Sequence, residues 1–262
     1  MVAKMSIQMF NRTGLLTKET TYVLKHLDKH NDWEKVKDNL RNSGYTSSKN
    51  RNREILNEIK KRFDVNISGL PHLELIKDVA KSNLSAVSKA EIYFVYLYYS
   101  DIHLKTIVDQ IYEIYDYDKN NLIIERKTIL QLMKLYIKKN KAKINEKTLN
   151  NWIGKFLSTL KEIKILIPKS RTSYIMNIGG LTTETWTFFL MDSYYSGYGL
   201  ENALFMKTFH IDQKMIPEVI ERSKNNAWIT YSNKYDTKNQ LNIEYEPKFE
   251  CVQNYLLEFN NT

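Results

Sequence analysis

The sequence predicts a mainly α-helical protein, a helical bundle with helix-turn-helix and winged-helix-like units and two short β-hairpins. Four prolines and eight glycines in 262 residues are too few for the many turns of a β-sandwich. Apolar side chains recur at helical spacing along most of the chain. Two stretches, 164–176 and 227–245, instead set β-branched and apolar runs on either side of a short polar segment, as hairpins do. A chain of this length buries a substantial core. The order of elements divides it into a helix-turn-helix-like region (1–66), a central region with a basic winged-helix-like unit (67–178) and a C-terminal winged-helix-like unit (179–262).

The N-terminal region reads as three helices. Thr17 is expected to cap the first, which runs through Tyr22, Val23 and Leu27 with Glu19 in its first turn. Trp33, Val36 and Leu40 mark the second, which stops near Ser43-Gly44, where glycine suits a C-terminal cap. Ser47 or Ser48 starts the third, with Ile55, Leu56 and Ile59 inward and Lys49, Arg51 and Arg53 in its first turns. A helix, a short turn and a helix opening on basic residues is how helix-turn-helix modules address DNA.

In the next segment, Pro71 begins a helix reaching about Asn83, Ser88 caps one through Ile92–Tyr99, and Asp101 caps one through Tyr115. Tyr93, Phe94, Tyr96, Tyr98 and Tyr99 could stack on bases. Their segment is acidic, however, and the rings lie on all sides of one helix, which describes a central packing helix.

Residues 126–178 are the most informative. On a wheel of about 100° per residue, Ile129, Leu132, Met133, Tyr136 and Ile137 share one side. Lys127, Lys134, Lys138 and Lys141 share the other, provided the helix lasts to Lys141. After a linker from Asn140 to Glu146, Asn145 caps a helix with Leu149, Trp152, Ile153, Phe156, Leu160 and Ile163 inward. Asn151, Lys155, Ser158 and Glu162 face outward. The hairpin follows directly, its tip carrying Lys169 and Arg171, residue types that contact phosphate or enter a minor groove. Two helices followed by such a hairpin make a winged helix. The last third repeats the design: a helix through Trp186, Phe189 and Leu190, short helices over Leu200–Thr208 and Ile216–Asn225, a hairpin, and a closing helix from about Pro247 to Phe259.

Charge is segregated along this plan. The chain carries +9 overall, yet residues 126–171 alone hold 13 basic and 2 acidic side chains, and residues 41–62 hold 7 and 2. Residues 63–125 and 172–262 are net acidic. Lysine enrichment from an AT-rich genome would raise lysine everywhere, so the segregation points to a polyanionic partner, duplex DNA.

Little points to other chemistry. No segment has the ~18 consecutive apolar residues that span a bilayer, and Met1–Phe10 does not read as a signal peptide; a cytoplasmic location is expected. Cys251 stands alone and is expected to be a packed thiol in the terminal helix. His26 and His30 lie one helical turn apart but lack a third ligand. Gly179-Gly180 lacks the spacing of a phosphate loop, and no G-x-S-x-G elbow occurs. Asp116 and Asp118 read as a solvated loop. No catalytic, metal or cofactor site and no small-molecule ligand is expected.

The run Gly14-Leu-Leu-Thr-Lys-Glu19-Thr, then Trp33-Glu-Lys-Val36, then Ser48 with Arg51, Arg53, Ile55 and Ile59 resembles the BrxA proteins of BREX bacteriophage-exclusion systems. The resemblance extends through the order of elements over essentially the whole chain. The family usually has a denser arginine run where this chain has Lys49, Arg51 and Arg53. The resemblance implies a helical phage-defence component that associates with DNA and with other BREX proteins, and it brings no catalytic residues. The residues themselves leave two alternatives open: a stand-alone helix-turn-helix transcriptional regulator, and a scaffold whose lysines face an acidic protein.

Overall fold

The computed structural model describes residues 14–42, 48–65, 67–115, 123–177, 179–197, 203–212, 215–216, 229–235 and 241–258. The protein is mostly helical, with two small antiparallel sheets. Its centre is α5 (Ala86–Ser100), in which every side chain from Ser88 to Tyr98 is buried. A helix apolar on all sides has no solvent face and must be enclosed. The enclosing layer comes from the whole chain: α1 (Thr17–His26), α3 (Lys49–Phe63), α6 (Ile102–Tyr115), α9 (Thr183–Tyr195) and α10 (Leu204–Thr208) all pack on it. Outside these, α2 (Trp33–Asn42) packs on α1 and α3, while α4 (Leu73–Lys81) packs on α1 and on α11 (Val252–Glu258). One continuous apolar cluster runs from Leu15 to Leu256.

Several helix starts differ from expectation. The residue before α1 is Leu16, in the left-handed region at φ 59°, and Thr17 is the first helical residue. That turn is held from α3: the guanidinium of buried Arg62 donates to the carbonyl of Leu15 and, at 2.6 Å, to that of Gly14. Gly14 itself sits at φ 77°, a region that glycine adopts without the steric cost a side chain brings. Ser85, not Ser88, caps α5 by accepting from the Ser88 amide. The Ser88 hydroxyl is committed to α9 instead, 2.8 Å from Thr182 Oγ1 and 2.5 Å from Glu184 Oε2. Ser48 and Asp101 do cap as expected, and Asp101 accepts from the amides of His103 and Leu104.

The C-terminal part begins with α9, whose Thr182 cap accepts from the Thr185 amide. The expected short helix is α10, Leu204–Thr208, and residues 200–202 lie outside the described residues. The expected hairpin is β4 (Ile229–Tyr235) paired with β5 (Leu241–Pro247), register Ile229 to Pro247. The closing helix starts later than expected, at Val252, because Pro247 ends a strand and Cys251 precedes the helix. The helix expected over Ile216–Asn225 and the Asp116–Asp118 loop lie outside the described residues, apart from Ile216.

A polar network fastens α10 to α5 and α6. Tyr98 donates to Asp109, Lys105 Nζ lies 2.6 Å from Asp109 Oδ2, and His210 Nε2 lies 3.2 Å from Oδ1. The His210 ring also stacks on Tyr112 at 3.8 Å. Burial alone would raise the Asp109 carboxyl, but the bonds from His210, Lys105 and Tyr98 hold it down at about 2. A carboxyl depressed by folding stabilises the native state above its unfolded pKa, here 3.8, and that contribution is lost as pH falls through about 2.

Two stability measurements follow from this packing. Phe94→Ala opens a cavity against Tyr98 and Phe209 and is expected to cost about 3–5 kcal/mol in chemical denaturation. Asp109→Asn is expected to cost about 2 kcal/mol near pH 7, and the gap to the parent protein should close as the titration is taken down toward pH 2. A pH-independent gap would show that Asp109 acts by shape and not by charge.

Candidate nucleic-acid interface

The basic region folds as α6, β1 (Ile123–Glu125), α7 (Arg126–Lys139), α8 (Glu146–Glu162), β2 (Leu166–Pro168) and β3 (Ser173–Met176). The three strands form one antiparallel sheet in the order β1-β3-β2. Three helices with the first strand between helices one and two, and the last two strands as a hairpin, is winged-helix connectivity. The sequence reading found α7, α8 and the hairpin. It missed β1, a three-residue strand recognisable only through its partner: Ile123 pairs with Ile175, and Glu125 with Ser173.

Local chemistry holds each part in place. His103 Nδ1 on α6 lies 2.6 Å from the Tyr136 hydroxyl on α7, both buried. Ile129, Met133 and Tyr136 are the buried side of α7, with Leu132 and Ile137 half-buried. On α8, Asn145 caps by accepting from the Thr148 amide at 2.8 Å. The expected stripe of Leu149, Trp152, Ile153, Phe156, Leu160 and Ile163 is entirely buried. The hairpin tip is organised by Ser170, whose hydroxyl accepts from the Thr172 and Ser173 amides and lies 2.6 Å from the Ser173 hydroxyl.

The expected contact residues fall as follows. Lys134 and Lys138 are exposed on the solvent side of α7. Lys127 is exposed too, but its ammonium is paired with Glu125 at 2.7 Å. Lys141 is not part of the α7 stripe. The helix ends at Lys139 and Asn140 caps it, so Lys141 sits in the following turn at φ 52°, still exposed. Asn151 and Lys155 are exposed on α8, as are Ser158 and Glu162, while Lys169 and Arg171 are exposed at the hairpin tip. In the N-terminal unit Arg53 is exposed and Arg51 pairs with Glu54 at 3.3 Å; the Lys49 side chain lies outside the described residues. α3 packs on α1, α2 and α5, whereas α7 packs on α6 and β1 and α8 on β2. The two basic helical regions thus have different main packing neighbours within the one core.

Among the described residues Lys134, Lys138, Lys141, Lys155, Lys169 and Arg171 make no ion pair. Unneutralised ammonium and guanidinium groups on two helices, the turn between them and the hairpin can each replace a counterion at a phosphate. Asn151 adds an amide able to pair with an adenine edge. His26 and His30 do not form a helical pair, since α1 ends at His26 and its Nδ1 is 2.8 Å from the Tyr22 carbonyl. No cluster of three or more His, Cys, Asp or Glu suited to a metal occurs among the described residues. No helix among them is long and apolar enough to cross a membrane.

Sequence reasoning also passed over Gly154. It lies mid-helix on the exposed face of α8, beside Lys155, with open space where a Cβ would project. The edge of that face is set by Gly14, where an added Cβ would lie 3.7 Å from both Lys155 Cδ and Thr159 Oγ1. Comparison with protein-family models, with curated proteins and with solved structures finds nothing that matches this chain.

A glycine in a helix interior costs about 1 kcal/mol relative to alanine. Gly154→Ala is therefore expected to raise stability by roughly that amount in thermal denaturation. If α8 approaches DNA closely at this point, the same variant loses affinity while gaining stability; unchanged affinity would place Gly154 outside the contact.

Proposed function

We propose that this chain is a non-enzymatic, duplex-DNA-binding accessory component of a BREX phage-defence system, contacting DNA through α7, α8 and the β2–β3 wing. The observation that carries the DNA reading is the set of unpaired, exposed cations on those three elements of a winged-helix unit. α8, with Asn151 and Lys155 outward, is the element suited to a major groove. Lys134 and Lys138 on α7 and Lys169 and Arg171 on the wing are suited to the flanking phosphates. The defence reading rests on the N-terminal motifs from Gly14 to Ile59 that resemble the BrxA family, and it brings other BREX proteins as partners.

Binding to duplex DNA is expected to show weak sequence preference and a steep salt dependence. Each neutralised phosphate contributes about −0.9 to the slope of log K against log salt, so ~4–6 contacts give roughly −4 to −5. Charge reversal of Lys134 with Lys138, or of Lys169 with Arg171, should weaken binding and flatten the slope by about one per lost contact. Lys77 is unsuitable as a control, because it is buried and its ammonium donates to the Asp28 carbonyl, Asn31 and Glu74. Lys81 and Lys248 are exposed, on α4 and after β5, and serve instead. Equal losses from the control pair and the winged-helix pairs, in anisotropy titrations at several salt concentrations, would sink the reading.

A further inference from the structure

A cavity of about 930 Å³ opens between residues 63–75, the last turn of α9 and the start of α11. Its volume is within the range of sites that take small molecules. Phe63, Tyr96 and Tyr195 line it together with the Asp192 carboxylate, and no lysine or arginine is among the described residues that line it. The Tyr96 and Tyr195 hydroxyls are already committed, to the carbonyls of Pro71 and Phe249, so these residues offer the cavity their rings. Asp192 and Tyr195 are three apart on α9 and share one face of the helix.

Asp192 is the unusual member. Its carboxylate has neither a hydrogen bond nor an ion pair among the described residues, and burial pushes it up to about 7. Asp109 shows the contrast: also partly buried, it has three donors and is held down at about 2. Asp192 moreover occupies the last turn of α9, a turn with no basic side chain. The carbonyl end of a helix disfavours a carboxylate and favours a cation. Desolvation and the helix end therefore both act against the charge that Asp192 carries, and one positively charged ligand would relieve both. Aromatic rings attract cations through their faces.

We propose that this cavity binds a small organic cation, a protonated amine with an apolar body, whose ammonium pairs with Asp192 while its body lies against Phe63, Tyr96 and Tyr195. The inference does not depend on DNA binding, since the cavity involves none of α7, α8 or the wing.

The test uses the full chain with benzylammonium chloride as probe and benzyl alcohol as its neutral isostere, read by melting temperature at pH 7.5–8. A fragment of this size binds with a dissociation constant on the order of 1 mM. At about ten times that concentration benzylammonium should raise Tm by roughly 2–4 °C, benzyl alcohol should do much less, and Asp192→Asn should abolish the difference. Without ligand, Asp192→Asn should melt no lower than the parent, because it removes an uncompensated charge. The proposal is overturned if benzylammonium gives no shift, if the alcohol matches it, or if Asp192→Asn keeps the shift. It is equally overturned if unliganded Asp192→Asn melts lower, since that would mean an internal partner already satisfies the carboxylate.

Discussion

A helix buried on every side can exist only if the rest of the chain encloses it, and α5 imposes that condition here. Its run from Ile92 to Tyr98 is buried throughout, so helices from both ends of the sequence converge on it. Its first turns are harder to enclose because they are polar. Ser88, Lys89 and Glu91 are all buried, and an unpaired buried polar group is costly. Lys89 donates to the carbonyls of Ala80 and Ser82, 3.2 and 2.5 Å away. Glu91 accepts from the amide and hydroxyl of Thr182. The cap of α9 is thereby made part of the enclosure of α5, and the two helices start from one shared polar cluster.

The same pattern governs other charges taken wholly or partly out of solvent. Arg62 on α3 holds the Gly14-Leu15 turn, Lys77 on α4 holds the Asp28–Asn31 loop, and Asp109 on α6 holds α10 through His210. Each takes at least one partner from a segment distant in sequence, so satisfying the charge also joins two elements. Truncating one member of such a pair leaves the other buried and unsatisfied, which is the expensive outcome. Asp192 departs from the pattern, which is why it stands out as a group awaiting something from outside the chain.

Sequence periodicity was enough where a residue's fate depended on its own helix. The rings on all sides of α5 announced an interior helix, the expected stripe of α8 is buried though Leu157 and Thr159 join it, and Lys134 and Lys138 could be assigned to solvent from the wheel alone. It failed where the decision was made elsewhere. Ser85 and Ser88 are both plausible caps, and the choice is made by Thr182 and Glu184 about a hundred residues later. Lys77 looks like any surface lysine until Asp28 and Asn31 are folded over it. β1 is visible only once β3 is beside it, and the cavity around Asp192 is assembled from four separated segments. Lys141 is a more local failure: the helix ends two residues before it, at Lys139, and Asn140 caps it.

The tyrosines of α5 have a consequence beyond apolar area, which phenylalanine would supply equally well. Their hydroxyls reach four different segments: Tyr93 to Thr21, Tyr96 to the Pro71 carbonyl, Tyr98 to Asp109 and Tyr99 to the Leu204 carbonyl. Greasy surfaces alone tolerate sliding, and cores of the right volume and pattern can settle into several near-equivalent packings. Advancing α5 by a single residue would swing its side chains by about 100° and take all four oxygens off their partners together. The hydroxyls therefore act as a vernier, selecting one alignment of the central helix among those that hydrophobic contact would accept.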